Sequence, residues 1–450
     1  MPRYLRNHVL AMAALLLPAA TATATAAGAA PHVRGEVIVK YAPGTPPWAR
    51  AAVQRATGAG EPLPIGPLER RLRIRDGESV AETVAELRRR SDVEYAAPNA
   101  IAHASQAPAP PFMPNDPGAG VPGDWQKLQW NLLSTAGVNA PQAWQQLIAA
   151  GRPGATGVIV AVLDTGVAYS NRTPYLRSPD FRRQAFVKGY DFVDRDPFPH
   201  DANGHGTHIA GTIAESANNG IGLTGIAYNA RIMPVRVLNR QGDGDAVAIA
   251  AGIRYAARHG AEVINLSLEF DGSVHAPSIP GIIAAVRYAN QRGALIVGAS
   301  GNTAEKAVAY PARANPVVSV GAITEHGCLA DYSNDGPGLD IAAPGGGAAA
   351  PSTEGGCEPP GDGRDIFQLT LDGSVRKFGL PSGYQGTSMA AAHVSAVAAL
   401  VIASGVIGPH PKPAAIERRL EATARDIGPP GYDTLFGAGL IDAAAATAPG

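Results

Sequence analysis

Val158-Ile159-Val160-Ala161-Val162-Leu163-Asp164-Thr165-Gly166 decides the fold of this 450-residue chain. Six apolar, largely β-branched residues without polar alternation read as a strand buried on both faces, as in a parallel sheet covered by helices. The acid that closes the strand stands where open α/β sheets bring their ligands, at the carboxyl edge. On the C-terminal side, helical and strand patterns alternate: helix Thr207–Ala214, strand Arg231–Leu238, helix Ala246–His259, strand Glu262–Leu268, helix Gly281–Gln291 and strand Ala294–Val297. A further strand covers Leu339–Ala342 and a surface helix Lys412–Ala424. Such alternation predicts a mostly parallel sheet with helices on both faces.

Two further stretches bear chemistry. Asn203-Gly204-His205-Gly206-Thr207-His208 sets a histidine between two glycines at the start of a small-residue helix. Glycines there would let a substrate backbone approach the imidazole. Gly386-Thr387-Ser388-Met389-Ala390-Ala391-Ala392-His393 places a serine at the mouth of an apolar, alanine-rich helix. Free backbone N–H groups and the positive end of the helix dipole then face any negative charge that develops on a substrate oxygen.

Asp164, His205 and Ser388, each beside Gly and Thr, resemble the motif blocks of the subtilisin-like serine peptidases, whose known chain order is Asp, His, Ser. The resemblance runs from about Asn115 to Ala445. It implies a three-layer subtilisin-like α/β domain and a catalytic triad: Ser388 as nucleophile, His205 as general base, Asp164 orienting the imidazole. Ala299-Ser300-Gly301-Asn302 resembles the family's oxyanion block, with the Asn302 side-chain amide and the Ser388 N–H as donors. By the same resemblance, Gly242-Asp243-Gly244 and Ser267-Leu268-Glu269 flank an extended peptide, and Gly298-Ala299-Ser300 line the pocket for the residue before the scissile bond. Glu269 stands where the family usually has glycine; with Asp243 it would favour basic substrate side chains, the alternative being a solvated carboxylate. Ala392 replaces the family's usual proline, which the chemistry does not need. His208 and His393 are expected to be packed and hydrogen-bonded.

Calcium is implied by the loop Ser216–Leu223, which has the spacing of the family's high-affinity site. Its expected ligands are oxygens of Ser216, Ile221 and Leu223, the Asn219 side chain, and carboxylates of Asp116 and Asp180. Asp191, Asp194 and Asp196 form either a second calcium site or an acidic surface turn. Gly220–Gly225 also spells a dinucleotide fingerprint, but it follows a helix instead of a strand, which excludes that reading and leaves no organic cofactor expected.

The ends divide the chain. Met1–Ala30 carries Arg3 and Arg6, an apolar core from Val9 to Ala20 and small-x-small cleavage patterns, so it reads as a secretory signal peptide. The core is too short to span a bilayer. Residues 31–104 read as a small α+β unit, with strands at Glu36–Tyr41 and Arg70–Arg75 and a helix at Val80–Arg89. This unit, closed by Asp92–Asn99, resembles the family's inhibitory pro-domain. A linker follows at 105–111, then the catalytic domain at 112–450, with maturation cleavage expected between Ile101 and Pro114. Asp362–Leu380 is expected to be a variable excursion with a hairpin around Asp372-Gly373.

A formal charge of −1 gives no electrostatic case for nucleic acid or anionic membrane as partners. Cys328 and Cys357 are the two cysteines. In an exported chain they are expected to pair, for about 3–4 kcal/mol, unrelated buried thiols being the alternative. The combined expectation is a secreted, monomeric, self-processing serine endopeptidase, extracellular or periplasmic, with peptides and its own pro-domain as partners. An α/β-hydrolase esterase would need Gly-x-Ser-x-Gly and a serine ahead of its acid and histidine, neither of which is present. A non-catalytic binding protein would lack one of the four catalytic groups.

Overall fold

The computed structural model describes residues 32–56, 62–74, 79–101, 110–351 and 361–449, and the chain divides into two compact units, Met1–Ala107 and Pro108–Gly450.

In the first unit the order is β1 (His32–Tyr41), α1 (Pro47–Ala56), β2 (Leu63–Pro64), β3 (Glu69–Arg73), α2 (Val80–Arg88) and β4 (Val93–Ala100). The sheet runs β2-β3-β1-β4, antiparallel throughout. Val37, Val39 and Tyr41 alternate along β1 and face Leu72, Val84 and Leu87 in one small core. Ser79 caps α2 by accepting from Glu82 N. Three elements differ from the sequence reading. Pro47–Ala56 is a helix, Leu63–Pro64 is a short strand paired with β3, and the closing stretch 93–100 is a strand paired with β1, since Val93 and Ala96 complete the apolar face.

The second unit comprises α3 (Ala140–Ala149), β5 (Ile159–Asp164), β6 (Tyr190–Asp191), α4 (His205–Ala214), β7 (Arg231–Arg236), α5 (Ala246–Arg258), β8 (Val263–Leu266), α6 (Pro280–Gln291), β9 (Leu295–Ala299), β10 (Val318–Ile323), β11 (Ile341–Pro344), β12 (Thr370–Leu371), β13 (Phe378–Gly379), α7 (Thr387–Ser404), α8 (Pro413–Ala422) and α9 (Ala443–Thr447). The seven-stranded sheet has the order β11-β10-β9-β8-β5-β7-β6, and every pair in it is parallel. Successive residues of each strand enter opposite cores: Val160 and Val162 pack with α4 and α7, Ala161 and Leu163 with α5 and α6. Burial on both faces explains the unbroken apolar run that β5 shows in sequence. β12 and β13 form the expected hairpin.

The buried helix α7 is apolar on all sides and long enough to cross a membrane, yet 83% of it lies inside the fold. It fills the layer beneath β8, β9 and β10 and brings its N-terminus to their carboxyl ends.

Candidate active site

The carboxyl ends of β5, β7, β8 and β9 and the N-termini of α4 and α7 meet at one cleft of about 440 Å³. Asp164 ends β5 and is fully buried. Its Oδ1 accepts from Thr165 N at 2.7 Å and from His205 Nδ1 at 2.7 Å, while Oδ2 has no hydrogen-bond partner. The imidazole begins α4 and keeps 26% of its side chain exposed. Burial pulls the His205 pKa down, but the charge of Asp164 and its hydrogen bond outweigh this and hold it above the usual histidine value.

Ser388 lies in the first turn of α7, 9% exposed, and lines the cleft together with His205 and Asn302. Its Oγ donates to Ser267 O at 3.3 Å, and Ser267 Oγ donates back to Ser388 O at 2.7 Å. The end of β8 is thereby tied to the start of α7. The Asn302 amide is held on both sides: Oδ1 accepts from Thr387 N at 2.8 Å and Thr387 Oγ1 at 3.0 Å, and Nδ2 donates to Glu269 Oε1 at 3.2 Å.

Of the expected substrate-contacting residues, Gly242, Asp243, Gly244, Ser267, Leu268, Glu269 and Ala299 line the cleft. Gly298 and Ser300 are buried behind it; Ser300 Oγ donates to Asn334 O at 2.9 Å. Gly206 answers a packing need instead of admitting substrate: a Cβ there would stand 2.1 Å from Gly166 O, so only glycine lets α4 close against the loop after β5.

Three positioning features were not anticipated. Asp201, 1% exposed, accepts from Thr165 Oγ1 and from the N–H groups of Asn203, Gly204 and Thr207, knitting the β5 loop to the start of α4. An acid four residues before the histidine, followed by Asn-Gly, is the turn-and-cap signal that could have revealed it. The excursion after residue 361 supports the same helix. Thr370 Oγ1 donates to Gly204 O at 2.5 Å, Ile366 O lies 2.8 Å from His208 Nε2, and Tyr384 stacks on His208 at 4.2 Å. His208 and His393 are fully buried and hydrogen-bonded, and burial drives their pKa values down to about 3 and about 4. Third, Glu269 grips Asn302.

The loop after α4 wraps two buried acids. Asp116 accepts from Asn218 N, Asn219 N and Gly220 N, and Asp180 accepts from Asn219 Nδ2 at 2.7 Å and Leu223 N at 3.0 Å. Ile221 is 42% exposed. Burial raises both carboxyls, Asp180 to about 8. Glu215 beside them is fully buried with neither oxygen hydrogen-bonded, and burial together with Asp180 raises it well above the usual value. None of the three acids joins an ion pair among the described residues. By contrast, Asp191 and Asp194 meet Arg236 Nη1 at 2.8 and 2.5 Å, and Asp196 caps its own turn through Phe198 N. Cys328 is 1% exposed and Cys357 lies outside the described residues.

Residues 155–439 match the subtilase family, and residues 18–99 match the fervidolysin N-terminal prodomain. The chain belongs to the subtilase family. Among curated relatives, the thermophilic serine proteinase of Bacillus sp. strain AK1 is 34% identical over 374 residues, 83% of this chain and 79% of that protein. Subtilisin Savinase of Lederbergia lenta is 37% identical over 323 residues, 72% of this chain and 99% of that one. A solved protease structure from Pseudoalteromonas arctica aligns with a TM-score of 0.59 at 33% identity, covering 74% of this chain and 98% of that one. This subtilase is a serine protease carrying a prodomain, and its parallel sheet with helices on both faces is the subtilisin fold.

Proposed function

We propose that this subtilase hydrolyses internal peptide bonds through Asp164, His205 and Ser388, and that it is made as a precursor that cuts itself. The reading is carried by one observation: His205 donates Nδ1–H to a buried carboxylate at 2.7 Å while opening into the cleft that Ser388 and Asn302 also line. The Ser388 hydroxyl releases Ser267 O, turns to His205 Nε2 and attacks the scissile carbonyl carbon. His205 takes the hydroxyl proton, then delivers it to the leaving amine as the C–N bond breaks. Water, deprotonated by the same imidazole, cleaves the acyl-enzyme. Asn302 Nδ2 and the Ser388 N–H hold the oxyanion, each donor being worth about 3 kcal/mol in the transition state.

An extended peptide lies between Gly242–Gly244 and Ser267–Glu269. Among the described residues the cleft lining holds two carboxylates, Asp243 and Glu269, and neither Lys nor Arg, which favours basic side chains in the substrate. The prodomain at 31–104 inhibits the protease until cleavage between 101 and 114. Met1–Ala30, outside the described residues, directs export, and the matured enzyme acts as an extracellular or periplasmic monomer stapled by Cys328–Cys357.

Calcium fits the loop after α4. Asp116, Asp180 and Glu215 are buried acids without a cationic partner, an arrangement that is costly unless the groups are protonated or a cation is bound. Oxygens of Ser216, Asn219, Ile221 and Leu223 would join Asp116 and Asp180 in holding it. The ion would supply structural charge neutralisation and no chemistry. Arg236 already supplies that charge to Asp191 and Asp194.

Expression of the wild type beside Ser388→Ala tests the reading. The wild-type precursor should shorten and digest casein while the variant does neither; equal shortening of both would rule out self-processing.

A further inference from the structure

We infer that Glu269 is a positioning residue for the oxyanion donor, an inference that rests on Asn302 serving in that role. Glu269 follows β8 in the segment Ser267–Glu269, and its carboxylate makes two hydrogen bonds to a single residue. Oε2 accepts from Asn302 N at 2.9 Å and Oε1 accepts from Asn302 Nδ2 at 3.2 Å. Thr387, the residue before the nucleophile, holds the other end of the same amide through N and Oγ1. A carboxamide has one acceptor oxygen and two N–H donors. Thr387 fixes the oxygen and Glu269 fixes one N–H, so the second N–H of a fully oriented amide remains for the substrate.

The packing beneath the carboxylate is built for this contact. Gly301 sits at φ +118, and a Cβ there would lie 2.6 Å from Glu269 Oε2 and 2.3 Å from Asn334 Nδ2. Only glycine lets Glu269 reach over the backbone to Asn302. Asn334 fastens the far side of the loop, its Oδ1 accepting from Thr303 N, Thr303 Oγ1 and Glu305 N at 3.0 Å each. Without Glu269, an exposed amide on a glycine-bearing loop would be anchored through its oxygen alone. A donor must be aimed before the oxyanion forms if it is to favour the transition state over the bound substrate. Loss of the clamp therefore lowers kcat and leaves KM nearly unchanged.

Two substitutions and a double-mutant cycle on the matured protease test this. With a neutral peptide substrate, Glu269→Ala should lower kcat about tenfold. KM should stay within about twofold, and Glu269→Gln, which keeps one acceptor oxygen, should recover most of the loss. Equal melting temperatures establish that all variants are folded. In an Asn302→Ala background, adding Glu269→Ala should change kcat by less than about twofold, because the group it positions is gone. If Glu269→Ala lowers kcat equally in both backgrounds, or acts through KM on basic substrates alone, the positioning role is overturned. If Asn302→Ala itself leaves kcat unchanged, the fault lies in the assignment of Asn302 as donor.

Discussion

The imidazole of His205 donates to Asp164 Oδ1 at 2.7 Å from the first turn of a helix whose start is fastened, through Asp201, to the loop that follows the aspartate. Carboxylate and imidazole thus hold a fixed separation set by backbone, not by two free side chains, which is the preorganisation that proton transfer requires.

The pH dependence of catalysis follows from that pair. On the proposed mechanism His205 must be neutral to accept the Ser388 proton, and Asp164 holds its pKa above the ordinary value of about 6.5. Activity should therefore rise with pH through a midpoint above 6.5. Asp164→Asn removes the largest opposing charge and leaves burial countered by Asp201 only, so the midpoint should move downward while kcat falls by about four orders of magnitude. A kcat/KM profile from pH 5 to 10 on both proteins checks the direction.

Chelation should lower the melting temperature. A cation present at a hundredfold excess over its Kd stabilises by about 2.7 kcal/mol, and Asp180→Asn should abolish most of the difference between calcium and chelator. With Asp180 raised to about 8 in the metal-free protein, binding must displace its proton, so the calcium-dependent gain should grow as pH rises toward 8 and beyond. Scanning calorimetry at pH 6, 7.5 and 9 reads this; identical melting with and without chelator would remove calcium from the loop.

Acid should destabilise the fold through buried neutral histidines. His200 stacks between Tyr169 at 4.6 Å and Tyr175 at 4.5 Å, and burial, helped by Arg172 and opposed by Asp196, lowers its pKa to about 4. Between about 4 and the unfolded value near 6.5 the unfolded chain binds more protons. Stability is fully present above about 6.5 and is lost as pH falls. His200→Phe keeps the stack and removes the titration. Its melting temperature should fall less than the wild type's between pH 7 and pH 4.5, by on the order of 5 °C.

The strands that carry the chemistry were legible because they are buried on both faces and end in punctuated motifs: Val158–Leu163 before Asp-Thr-Gly, and Ala294–Val297 before Ser-Gly-Asn. β10, at Val318–Ile323, and α3, at Ala140–Ala149, went unread. β10 sets Ser319 and Gly321 between its apolar residues, unlike the unbroken apolar run of β5. α3 keeps helical spacing at Ala140, Ala143, Trp144 and Leu147 but has a proline in its first turn after a left-handed Asn139, which hides its start. Edge strand β6 has two residues, too short for any pattern. His205, Ser388 and Asn302 stand out in local motifs because each lies at or just past an element terminus with glycine or threonine beside it. Asp201, Thr370 and the grip of Glu269 on Asn302 arise from contacts between distant segments, which local spacing does not encode.

Labelling of the active serine tests the catalytic assignment most directly. The matured protease, treated with a fluorophosphonate and mapped by peptide mass spectrometry, should carry a single adduct on Ser388, and His205→Ala should abolish it. Full casein-digesting activity after treatment with no adduct on Ser388, or an adduct on a different residue that tracks inactivation, would contradict it.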